Sequence, residues 1–231
     1  MTQPTLTPLG HEIYLLRELL EPSFCQHIIQ VAECQQLQPA GILLKDVDKD
    51  VRSNETWKLG DSDPLAQSTN QLLMGKLKTL QNLLFEHYGI HFPYAEDCSI
   101  LRYRAGQFYQ RHVDNILLAS RFQEAQQGIP TRDISVVGYL NDGFEGGETY
   151  FDRQAIKVIP EAGSVLVFPS YFTHPHASLP FNLVKNTPLP VGYFISSKFF
   201  KKHRLLATIK AIVSATLIRL TSYVERNAKR H

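Results

Sequence analysis

The chain has 231 residues, 43% of them hydrophobic and 20% charged, with a formal net charge of +2 at pH 7. These proportions exclude a collagen-like, low-complexity or disordered polymer, and the length suits one compact core with helical additions rather than two full domains. Three cysteines, Cys25, Cys34 and Cys98, form an odd set without CxxC spacing. That pattern argues against a disulfide framework and a zinc–thiolate site and favours a reducing, cytoplasmic setting.

The opening "MTQPTLTPLGHEIY" has no basic stretch followed by an apolar run, so no signal peptide is legible. "EPSFCQHIIQVAEC" places Phe24, Ile28, Ile29, Val31 and Ala32 at helical spacing behind Pro22 and Ser23, which predicts an amphipathic helix. A charged, turn-rich connection, "KDVDKDVRSNETWKLGDSDP", then leads to a second predicted helix from Leu65 to His87. From Asp97 the period changes. "CSILRYRAGQFYQRHVD", "RDISVVGYLND", "GGETYFDRQAIKVIPEAGSVLVFPS" and "VGYFISSKFF" are short β-branched or aromatic runs punctuated by Gly, Pro and Asn, the pattern of antiparallel strands. The expected fold class is therefore α+β, with the strands in a sandwich or barrel and the helices packed outside.

The last segment, "HRLLATIKAIVSATLIRLTSYVERNAKRH", gathers its apolar residues within an arc of roughly 140° on a helical wheel. It predicts a carboxyl-terminal amphipathic helix over 201–231, separate from a domain over 1–200. From Lys198 onward nine Lys or Arg face the single Glu225, leaving the remainder of the chain net acidic. Such an end suits packing on the β-domain, homodimerisation or peripheral membrane contact. Lys210 and Arg219 argue against a transmembrane span, and no nucleic-acid partner is expected.

Side chains two apart on a strand share a face, so His112 and Asp114 of "QRHVDN" can converge on one point. A neutral imidazole and a carboxylate make two metal ligands. "VLVFPSYFTHPHASLP" offers the third, in either His174 or His176. Two imidazoles and one carboxylate form the facial triad of non-haem iron oxygenases, although zinc accepts the same donors.

Taken in order, these motifs resemble the 2-oxoglutarate- and Fe(II)-dependent dioxygenases, in their prolyl 4-hydroxylase-like branch. "ILRYRAGQFYQRHVD" is similar to that family's first-ligand strand, "YLND" with "GGETYF" to its central strand pair, and "PEAGSVLVFPS" to the strand before the distal histidine. "VRSNETW" is similar too. The resemblance runs from about Leu19 to Phe200 and implies a double-stranded β-helix, or jelly roll, with N-terminal packing helices. It implies Fe(II) held by His112, Asp114 and a distal histidine, His176 in preference to His174, with 2-oxoglutarate and O2 as cosubstrates and ascorbate as an optional reductant.

For the far carboxylate of 2-oxoglutarate the resemblance implies Lys185, nine residues after His176, with hydroxyls from Thr149 and Tyr139 and with Tyr103 on the metal side. In the family the basic residue opens the next strand, whereas here "NTPLPVG" intervenes, and Lys198 is the substitute. Arg132, ahead of the "YLN" strand, is the candidate to reach a substrate at the mouth. The expected reaction is hydroxylation of an unactivated C–H bond, since related halogenases carry a small residue where Asp114 stands. A prolyl residue of a peptide, a free amino acid or another small molecule all remain open as substrate. The stretches 45–63 and 115–132 are the candidate substrate lids. Two alternatives compete: a zinc hydrolase with Glu145 or Glu148 as base, and a non-catalytic jelly-roll binding module.

Overall fold

A computed structural model of the chain describes residues 5–40, 49–60, 63–115, 131–182 and 191–200. The expected helix over 201–231, Lys185, residues 45–48 and 61–62 of the first expected lid and residues 116–130 of the second lie outside the described residues. In chain order the elements are β1 (Leu6–Gly10), β2 (Ile13–Leu16), α1 (Pro22–Glu33), β3 (Gln38–Pro39), β4 (Glu55–Lys58), α2 (Pro64–Tyr88), β5 (Tyr94–Ala95) and β6 (Ser99–Tyr103). There follow β7 (Tyr109–His112), β8 (Ile134–Tyr139), β9 (Glu145–Gly146), β10 (Thr149–Phe151), β11 (Ile156–Val158), β12 (Val165–Pro169), β13 (His176–Ser178), β14 (Phe181–Asn182) and β15 (Gly192–Phe200). The described chain is thus mostly β-sheet with two helices.

Both helices begin as their residues dictate. Pro22 and Pro64 occupy first-turn positions, where no backbone N–H is needed, and the Asp63 carboxylate accepts from Ala66 N at 2.9 Å. α2 ends on Gly89, whose φ of 65° is a left-handed conformation that glycine adopts without strain.

The large sheet has nine strands in the order β1-β2-β12-β8-β15-β6-β4-β3, with β5 added alongside β15. Its alternating side chains feed two cores. Val165 and Val167 of β12 and Tyr193, Ile195 and Phe199 of β15 share a cluster with Ile28, Leu73, Leu77, Leu80 and Leu84 of the helices. Leu166 and Phe168, with Phe194, point the other way into a second cluster with Tyr103, Tyr139, Phe151 and Phe181. Helices therefore cover one face, and the other faces the smaller sheet, ordered β11-β10-β13-β7. A one-residue slip of either strand is not tolerable, because it would turn each apolar row toward the wrong core.

Candidate metal centre

β13 runs antiparallel to β7 with His176 directly opposite His112, and Asp114 follows two residues beyond His112. Cross-strand pairing thus joins residues sixty-odd positions apart into one cluster. The ligand atoms of His112, Asp114 and His176 lie within 4.8 Å of one another. His112 Nε2 is 3.7 Å from Asp114 Oδ1, and His176 Nε2 is 3.6 Å from Asp114 Oδ2.

Backbone carbonyls orient both rings. His112 Nδ1 lies 2.7 Å from Gln110 O and His176 Nδ1 lies 3.2 Å from His174 O. A carbonyl only accepts, so each Nδ1 carries a proton, and each Nε2 is turned toward Asp114. His112 also stacks on Tyr109, with ring centroids 3.5 Å apart. Burial pushes the His176 pKa down to about 3, with His112 adding to the shift. The imidazole is therefore neutral at ordinary pH, as a metal ligand must be. For Asp114, burial pushes the carboxyl pKa up, but the Lys198 ammonium and the two imidazoles hold it well below the usual carboxylate range.

His174 is committed elsewhere: its Nε2 lies 2.7 Å from His11 O and its Nδ1 2.8 Å from Thr173 Oγ1. Of the two histidines left open by the sequence, His176 joins the cluster and His174 ties a turn to the β1–β2 connection.

A cavity of about 580 Å³ opens over His112, Asp114 and His176. Tyr103 and Thr149 line it, and Tyr139 backs it, its hydroxyl 2.9 Å from Thr149 Oγ1. Burial pushes the Tyr103 phenol up to about 12, against the pull of Arg52 and of the neighbouring Ser178 hydroxyl. Ser178 Oγ is itself buried without a well-formed hydrogen bond. The tyrosines pack as well as line: Tyr103 stacks on Phe181 at 5.1 Å.

Arg132 stands on the cavity wall. Its Nε and Nη2 donate to Glu96 Oε1 and Oε2 at 2.6 and 3.0 Å, and its Nη1 donates to the Asp114 carbonyl at 2.8 Å. Asn115 Nδ2 donates in turn to Arg132 O at 2.9 Å. The guanidinium thus clamps the chain just after the first two ligands. Arg52 lies 4.5 Å over the Tyr109 ring and donates to Asn54 Oδ1 at 2.7 Å.

Lys198 is buried, and its Nζ donates to Asp114 Oδ2 at 2.7 Å and to Ser196 Oγ at 3.3 Å. The family pattern had made it only a substitute for Lys185. Sequence reasoning also passed over Ser178, Glu96 and Tyr109, although Ser178 stands two residues after His176 and so had to share its face. Glu145 and Glu148, the proposed bases of the hydrolase alternative, are absent from the residues lining the cavity.

A jelly roll whose cavity gathers two imidazoles and a carboxylate at one end is the architecture of a non-haem metal-dependent oxygenase. Residues 98–188 match the family model described as 2OG-Fe(II) oxygenase superfamily. Over 193 residues, 83% of this chain and 74% of the relative, the sequence is 25% identical to a protein of Acanthamoeba polyphaga mimivirus assigned as a prolyl 4-hydroxylase. A crystal structure of a Pseudomonas putida prolyl-4-hydroxylase matches with a TM-score of 0.59 and 20% identity, covering 83% of this chain and 94% of that one. A prolyl hydroxylase from Trichoplax adhaerens, in complex with a hypoxia inducible factor oxygen degradation domain peptide fragment, matches with a TM-score of 0.60 and 16% identity, covering 82% and 83%.

The chain matches the 2-oxoglutarate- and Fe(II)-dependent oxygenase superfamily over residues 98–188 and is similar to its prolyl 4-hydroxylase-like branch. It is a dioxygenase of the hydroxylase type, with Fe(II) as metal and 2-oxoglutarate and O2 as cosubstrates. The donor set fits that metal: two neutral nitrogens and one ionised carboxylate leave coordination positions for a chelating cosubstrate. The Ser178 hydroxyl, buried without a partner, beside the Tyr103 and Thr149 hydroxyls on the cavity wall, fits a polar ligand, since an unpartnered buried hydroxyl is costly.

Proposed function

We propose that His112, Asp114 and His176 hold the iron, and that the substrate is a prolyl residue within a peptide, bound at the cavity mouth near Tyr109 and Arg52. The observation that carries the metal assignment is the cross-strand register that sets His176 opposite His112 with both Nε2 atoms turned to Asp114. The prolyl reading is supported by relatives named as prolyl hydroxylases, one of them seen with a peptide bound.

Iron bound there supplies the dioxygen chemistry that converts a C–H bond to an alcohol while 2-oxoglutarate is decarboxylated to succinate. The chain's own part is positioning. His112 and His176 present fixed lone pairs because their Nδ1 protons are held by carbonyls. Arg132 fixes the backbone that carries Asp114, and the aromatic wall of Tyr103, Phe194 and Phe181 excludes water from the interior. At the mouth, the Tyr109 ring, sandwiched between His112 and the Arg52 guanidinium, offers an aromatic edge, and Arg52 a cation for peptide carbonyls.

The test is mass spectrometry of proline-containing peptides after incubation with Fe(II), 2-oxoglutarate and air. A gain of one oxygen on proline, matched by an equal amount of succinate, is the expected result. Succinate formation with free amino acids but with no peptide from a broad panel would overturn the peptide reading.

A further inference from the structure

The inner face of β15 presents Gly192, Phe194, Ser196 and Lys198 in alternation. Near the strand's opening, where the family resemblance places a base, the residue is Phe194, and its ring lies 5.4 Å from Tyr103, 5.1 Å from Tyr139 and 5.8 Å from Phe181. An aromatic ring packed in this way cannot pair with a carboxylate. Four residues on, about 13 Å along an extended strand, Lys198 reaches Asp114.

The cations lining the cavity among the described residues are Arg52, Lys58, Arg132 and Lys198. Arg132 is paired with Glu96, Arg52 lies over Tyr109 and donates to Asn54, and Lys58 is exposed. Lys198 alone of these four is buried and touches a ligand of the metal centre.

Its charge has a consequence once a divalent ion is bound. Asp114 neutralises one charge of the ion, and the buried ammonium beside it adds one back, so two positive charges would sit together in a largely buried site. Such an arrangement is costly unless an anion enters. A dicarboxylate chelating the ion closes that balance. An ammonium has three donors; Asp114 Oδ2 and Ser196 Oγ take two, which leaves one for a ligand oxygen next to the metal.

We propose that Lys198 binds the metal-end carboxylate of the 2-oxo acid cosubstrate, the end opposite the far carboxylate for which the family resemblance implies a base at the opening of the last strand. The inference rests on the dioxygenase reading of the site. It assigns Lys198 to the 2-oxo acid end and to a ligand contact, beyond holding Asp114 in place.

The experiment is anaerobic calorimetry on the full chain, wild type, Lys198→Met and Lys198→Arg, with folding checked by circular dichroism. Mn(II) is added first, then 2-oxoglutarate, or 2-oxobutyrate measured by competition; the latter keeps the metal end and lacks the far carboxylate. Expected is a loss of about 10- to 100-fold in affinity for both 2-oxo acids in Lys198→Met, partial recovery in Lys198→Arg, and Mn(II) affinity unchanged or tighter without cosubstrate. The proposal is overturned by unchanged 2-oxo acid affinity, by a loss confined to 2-oxoglutarate, or by weakened Mn(II) binding with the cosubstrate step intact, which would make Lys198 a prop for Asp114. Failure of the Mn(II)-loaded wild type to bind either 2-oxo acid would instead overturn the dioxygenase reading beneath it.

Discussion

Replacing Arg132 with methionine removes three hydrogen bonds at once, two to the Glu96 carboxylate and one to the Asp114 carbonyl. The ion pair is only partly open to water, with 25% and 29% of the two side chains exposed, so solvent screens it less than a surface pair. A charge-assisted bidentate contact of this kind contributes about 1–3 kcal/mol, and the carbonyl contact adds about 1 kcal/mol. Loss of about 2–4 kcal/mol of unfolding free energy is therefore expected. A double-mutant cycle with Glu96→Gln, read by urea denaturation, isolates the pair, with an expected coupling of about 1–2 kcal/mol. Because the same guanidinium fixes the backbone of a metal ligand, Mn(II) affinity should fall about 10-fold in Arg132→Met and less in Glu96→Gln. Additivity within about 0.5 kcal/mol, together with unchanged Mn(II) affinity, would refute the role of Arg132 as a clamp.

The two histidines of "HPH" should separate cleanly: His176→Ala abolishes specific Mn(II) binding by electron paramagnetic resonance, whereas His174→Ala keeps it and loses about 1–2 kcal/mol of stability through its contact with His11 O. Cys34 is exposed, while burial pushes the Cys25 thiol up to about 11 and Cys98 up to about 12. A thiol reagent at pH 8 should thus label Cys34 in the native protein and all three cysteines after denaturation, since the thiolate is the reactive form; fast native labelling of Cys98 would contradict the packing. Gly147 has a φ of 69°, and a Cβ there would lie 2.4 Å from the Phe181 ring. Gly147→Ala should cost about 1–3 kcal/mol, measured as a lowered calorimetric Tm.

Much of this architecture was legible because strand periodicity is simple. The run Val165–Pro169 alternates between two cores, as period two requires, and His112 and Asp114 share a face for the same reason. The preference for His176 over His174 came from the family resemblance and not from local pattern, because the choice depends on the register of β13 against β7, a pairing made across more than sixty residues. Arg132, the candidate to reach a substrate at the mouth, lines the cavity. What the sequence does not show is its partner: Glu96 lies in a segment 36 residues upstream, which no local pattern connects to it. Lys198 was undervalued for a related reason. Distance along the chain from His176 suggested Lys185, but position along β15 decides which side chain reaches Asp114.

The most direct measurement is the visible absorption of the anaerobic protein loaded with Fe(II) and then 2-oxoglutarate, in wild type and in Asp114→Ala. The account predicts a weak metal-to-ligand charge-transfer band in wild type that appears only when both are present and is lost in the variant. A folded wild type that takes up iron and gives no band, or a variant that retains it undiminished, would contradict the assignment of His112, Asp114 and His176 as the iron site.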